Sequence, residues 1–211
     1  MKRLLVFLLI TLLSGYNLSA EQTDTKDSIR TPSVNGKEFL LHYYQQTLDS
    51  LQKCVDGLSD AQLQFKAAPD RWSISQRLEP VVLTEKALFD FATKGMNAAA
   101  NPERRKEIKV TDETIIKGIN DRSHKAKADA ALTGKGKYST SADAIAELQD
   151  YRKVILDYIN SVSLLDLRNH INDSPFGAID GFQSFLFVAE HTSRHTLQIK
   201  EVKADAIFPK Q

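Results

Sequence analysis

The chain has 211 residues, 42% apolar and 26% charged, a length that fits one ordinary domain and an apolar share that excludes wholesale disorder. Nine Gly, six Pro and a single Cys exclude collagen-like, low-complexity and disulfide-scaffold classes. With 28 Lys and Arg against 27 Asp and Glu, the chain lacks the basic surface that displaces counterions from a phosphate backbone, so no nucleic-acid partner is expected.

Lys2 and Arg3 precede the apolar run Leu4–Leu13, after which Ser14-Gly15-Tyr16-Asn17 turns polar. This is the layout of a secretory signal peptide. The apolar run is about 10 residues long, roughly half of a membrane-spanning helix. Cleavage near Ala20 predicts a signal peptide over 1–20, a flexible polar linker over 21–35 and one domain over 36–211. The product is expected outside the cytoplasm, with no transmembrane span in the mature chain. Cys54 has no second cysteine to pair with there, so stability must come from packing.

Four long amphipathic segments follow. The first starts near the N-cap Asn35 and runs to about Asp56, with Leu41, Tyr44, Leu48, Leu51, Val55 and Leu58 in one apolar stripe. His42 falls on its opposite, solvent-facing side. The second starts at Ser73, whose spacing to Gln76 is that of a capping box, and continues to about Met96. Pro80 lies well inside it, where a lost N–H and a ring clash cost about 3 kcal/mol or a kink. Either the helix bends at Pro80, or a short turn ends and the main helix restarts there. Residues 97–111 read as a polar loop. A shorter helix is predicted from Thr111 to about Ala131, with His124 on its solvated side. The third long helix starts at Thr140 or Ser141 and runs to about Ser161; His170 then falls in a connecting loop. Asp180 caps the fourth, whose apolar face runs from Phe182 to Val202. With no convincing alternating strand, the fold class is all-α: a four-helix bundle with an additional short helix and a long loop between the second and third long helices.

His191 and His195 stand one turn apart on the fourth helix, on roughly the face of Val188, Ile199 and Val202. Two inward imidazoles at that spacing can chelate a transition metal, or sit as hydrogen-bonded histidines at the edge of a core. Thr192 stands where a zincin motif needs Glu. Glycine-rich phosphate loops, nucleophile elbows and Cys–His pairings are missing from the sequence.

Trp72-Ser73-Ile74 with Leu83-Thr84-Glu85, then Ser174–Gln183 followed by Glu190-His191-Thr192-Ser193-Arg194-His195-Thr196-Leu197-Gln198-Ile199, resemble the second and last helices of the DinB-like superfamily. The resemblance covers about residues 38 to 209. It implies a four-helix bundle, often a homodimer, with a divalent metal (zinc or nickel) held by three histidines, one from the second helix and two from the last. It also implies thiol-dependent transferases and isomerases as relatives, with bacillithiol, mycothiol or glutathione as cosubstrate. The paired histidines of that pattern match His191 and His195. The second-helix ligand falls eight residues after Trp72, on Pro80, which has no ligating side chain. Glu79 is the substitute by chemistry, although on an ideal helix it points roughly 100° away. Two functions of different class follow. One is an exported bundle with a degenerate metal site, non-catalytic or binding an unknown small molecule. The alternative is a divalent-metal-dependent thiol S-transferase-like enzyme using His191, His195 and a substitute third ligand.

Overall fold

Helix starts in this chain are written by side-chain oxygens. In the computed structural model, which describes residues 36–121, 133–174 and 177–210, α3 (Ile74–Met96) opens on the capping box of Ser73 and Gln76. The last long helix, α7 (Gly181–Lys203), opens on a second capping box, Asp180 with Gln183. Thr111 caps α4 (Asp112–Asn120), and Thr140 caps α5 (Ser141–Ser161). Each cap satisfies amide N–H groups that the first helical turn leaves without partners, about 1 kcal/mol apiece. The first helix, α1 (Lys37–Val55), starts two residues after Asn35, with Gly36 as N-cap and no side-chain cap bond. The expected signal peptide, the linker, His124 and the end of the helix predicted to reach Ala131 all lie outside the described residues.

Four short elements and a 3-10 turn were not foreseen. The helix α2 (Asp60–Gln64) follows α1 behind its own capping box, Ser59 with Gln62. The expected loop after α3 contains a 3-10 turn over Pro102–Glu107. Helix α6 (Leu164–Asn169) precedes His170, whose Nδ1 lies 2.8 Å from the Asp166 carbonyl. Next, β1 (Ile171–Ser174) pairs antiparallel with β2 (Gly177–Asp180), Ile171 opposite Asp180. All are too short to carry a readable period, so local capping and tertiary contacts decide them.

Helix directions follow from the bonds between helices. Tyr43 meets Glu190 and Lys203 Nζ donates to the Cys54 carbonyl, so α1 and α7 run parallel. Arg77 bonds Gln198 while Glu85 accepts from Thr192, so α3 runs antiparallel to α7. Glu85 pairs with Arg152 and Phe89 packs on Tyr158, so α3 and α5 run in the same direction. Two consecutive long helices pointing the same way require the chain between them to travel back about the length of the bundle, roughly 35 Å for 23 residues. The 3-10 turn and α4 belong to that return path, and α4 packs along α7.

The core has two apolar halves. One gathers Leu48, Leu51, Val55, Leu63, Leu78 and Ile199, and the other Leu40, Tyr44, Ala92, Ile155, Phe182 and Phe185. A polar layer lies between them. Arg152 and Glu85, 2% and 0% exposed, form a 2.5 Å ion pair. Arg152 also donates to the Tyr44 carbonyl and to Thr47 Oγ1, and the Thr192 hydroxyl donates to Glu85. One guanidinium–carboxylate pair thereby ties α1, α3, α5 and α7 together.

Pro80 neither ends nor restarts α3, which runs unbroken from Ile74 to Met96. The proline removes the N–H that Gln76 O would otherwise receive. Gly134 is packed against that carbonyl so closely that a Cβ on it would lie 2.0 Å from Gln76 O and 2.9 Å from Pro80 Cδ. The adjoining strap is pinned by Glu79, whose Oε2 accepts from the backbone N–H groups of Lys135, Gly136 and Lys137 at 2.6, 2.8 and 3.2 Å. Positive φ at Gly136 (+82°) lets the three amides converge on one oxygen. Ser75 and Gln64 fasten the strap's far end by donating to the Tyr138 carbonyl.

Candidate functional site

The middle of α7 carries the site. Phe187, His191 and His195 follow at intervals of four, so they form one row along the helix. His195 is buried and His191 half-buried, with their Nε2 atoms 3.2 Å apart. In the absence of a metal, one Nε2 donates and the other accepts, which requires opposite tautomers. His191 Nδ1 is buried with no hydrogen-bond partner among the described residues. Burial pushes the His191 pKa from 6.5 down to about 4, and the Arg194 guanidinium adds to the effect. His191 is therefore a neutral imidazole at neutral pH.

Glu190, next in the chain, is fully buried and faces another way. Tyr43 donates to its Oε1, and Asn120 Nδ2 donates to its Oε2 at 2.7 Å. Burial raises the Glu190 pKa from 4.5 to about 7, against the lowering effect of those two hydrogen bonds. The Tyr43 hydroxyl is itself pushed up by burial and then by Glu190. Arg194 donates to the carbonyls of Ile119 and Asp121, so Glu190 and Arg194 together fasten the end of α4 to α7. A pocket of about 170 Å³ opens between α4, β2 and α7 beside Phe187. A second, of about 220 Å³ and lined mainly by polar side chains, lies between α1 and α7.

Whether the residues present fit a metal is a question of donors. A metal about 2.05 Å from two imidazole nitrogens 3.2 Å apart would see them at an angle of about 100°, close to tetrahedral. The pair is thus spaced for chelation. The set stops at two, because no third His, Cys, Asp or Glu completes a metal-binding group among the described residues. Glu79 has its carboxylate on the strap amides, Glu85 is held by Arg152, and Glu190 by Tyr43 and Asn120. Pro80 is buried and offers no donor. Among the described residues, the donors do not make the three-ligand set of a catalytic centre.

His42 is exposed, as its position opposite the stripe predicts. Tyr44 is fully buried and donates to the Phe185 carbonyl, whereas Tyr43 is half-buried. Sequence reasoning passed over Arg152, although it interrupts the apolar row Leu148, Ile155, Ile159 and a lone cation in such a row signals a buried partner. Glu190 and Asn120 gave no such signal, since their pairing depends on where α4 docks.

Residues 43–199 match the DinB superfamily, and the chain belongs to it. Among curated relatives, the uncharacterized protein YuaE of Bacillus subtilis (strain 168) is 28% identical over 149 residues, 71% of this chain and 88% of YuaE. Among solved structures, YfiT from Bacillus subtilis, described as a probable metal-dependent hydrolase with an unusual four-helix bundle topology, superposes with a TM-score of 0.54 at 13% identity. That match covers 82% of this chain and 89% of YfiT, and at such identity it speaks to fold.

Proposed function

We propose that this chain is an exported DinB-like bundle with a degenerate metal site, which holds a small ligand and performs no metal-dependent catalysis. The observation that carries the reading is the donor set around His191 and His195: two imidazoles 3.2 Å apart, with Pro80 at the second-helix position and Glu79 committed to the strap. Export is supported by the charged start and short apolar run of residues 2–13. A second reading has one observation in its favour, the chelating separation of the two Nε2 atoms. In it, His191, His195 and a substitute ligand such as Glu79 hold zinc or nickel in a thiol S-transferase-like or hydrolase-like enzyme.

Metal content of the untagged mature protein, measured by mass spectrometry beside His191→Ala and Pro80→His, separates the two. A metal-free parent is the expected result. Near-stoichiometric metal in the parent that disappears in His191→Ala would overturn the non-catalytic reading.

A further inference from the structure

We propose that the 170 Å³ pocket between α4, β2 and α7 takes the apolar end of a small ligand, a benzene-sized ring or a short hydrocarbon chain, and that Gly118 keeps its mouth open. The inference deepens the ligand-binding reading above and rests on it.

The first support is the pocket's lining. Ile115 and Ile179 are buried in it, Phe187 forms the α7 wall, and Val110 and Ile119 close the sides. An apolar cavity of about 150 Å³ stays dry and accepts benzene, because water gains no hydrogen bonds inside it. The present volume is of that order and belongs to a ring or a few carbons rather than to a polar metabolite.

The second support is independent and concerns the glycine. Three glycines of the described helices call for a packing reason, since glycine inside a helix, as at Gly95 and Gly118, costs about 1 kcal/mol relative to alanine. Two have one: a Cβ on Gly95 would lie 2.2 Å from the Asn172 side chain, and a Cβ on Gly181 would lie 2.4 Å from Met96 Sδ. Gly118 has none. Among the described residues a Cβ there meets nothing within 4 Å, and its φ is not among the positive ones. It nevertheless stands in a nine-residue helix, where the propensity loss weighs most. What a side chain at 118 would do is cover the opening that Gly118 lines together with Thr114, one turn earlier.

The test uses indole and p-cresol as probes, titrated into the ¹⁵N-labelled mature protein, with amide shifts read for 110–119, 179 and 187. Saturable shifts confined to those amides are expected, weakened about tenfold by Gly118→Leu and by Thr114→Trp, both at exposed positions. Gly118→Ala should weaken binding by a smaller factor, about two- to threefold, since one methyl narrows the mouth without closing it. Absence of saturable shifts, or shifts indifferent to both bulky changes, overturns the proposal. The metal analysis reads the histidine pair alone, so the two can fail separately. A metal-loaded chain that still binds indole keeps the pocket and loses the non-catalytic reading; a metal-free chain that ignores both probes does the reverse.

Discussion

His191 and Glu190 are neighbours whose titrations oppose each other. Between pH 4 and 6.5 the unfolded chain carries a proton on His191 that the folded chain refuses, so this residue makes stability fall as pH drops through that window. Between 4.5 and 7 the folded chain keeps a proton on Glu190 that the unfolded chain has lost, so this residue makes stability fall as pH rises. The two slopes cancel over the shared window. Urea unfolding at half-unit pH steps should therefore separate the variants: Glu190→Gln leaves a stability that climbs with pH, and His191→Gln one that declines. Slopes of the same sign in both would show that the two groups are not buried as described.

At the scale of elements, the Glu79–Pro80 step of α3 and the strap over 133–138 form one device. Pro80 frees a carbonyl, Gly134 packs onto it, and Glu79 gathers three strap amides on one carboxylate oxygen. Gly134→Ala has no room for its methyl and should cost about 1–3 kcal/mol in chemical denaturation, with cleavage by a nonspecific protease appearing first within 133–138. Uniform protease resistance in that variant would mean the strap is held elsewhere.

The helix starts were readable because a cap is a local contract between residues three apart, as at Ser73 with Gln76, Thr140 with Asp143, and Asp180 with Gln183. The strap was not, because its logic joins residues 56 to 58 positions apart. The candidate site was half legible on the same grounds. The histidine pair announces itself by spacing on one helix, whereas the fate of Glu79 and the pairing of Glu190 with Asn120 depend on how distant segments dock. Pro80 shows the limit of a local rule: the clash that predicts a bend or a restart is accommodated in an unbroken α3, beside Gly134.

Across the whole molecule, the Arg152–Glu85 pair is the point where all four long helices meet. Arg152→Met would leave the Glu85 carboxylate buried without its cation, which typically costs about 3–5 kcal/mol. The expected result is a lowered denaturation midpoint with an unchanged denaturant slope, reflecting a weaker but intact bundle. A loss below about 1 kcal/mol would mean that water reaches the layer and screens the charge.

The parallel placement of α1 beside α7 has a consequence in time. The contacts that bring them together join residues 141 to 149 positions apart, Tyr44 to Phe185 and Cys54 to Lys203. Helix α7 also supplies the surface against which α3, α4 and α6 pack. The half of the core that gathers Phe182, Phe185 and Leu186 cannot close until α7 has been made. A nascent chain halted before Phe182 lacks the wall on which α3, α4 and α6 pack, and loop-closure entropy makes these distant pairings slow even after α7 has been made. This order of events keeps that half of the molecule pliable until α7 has emerged.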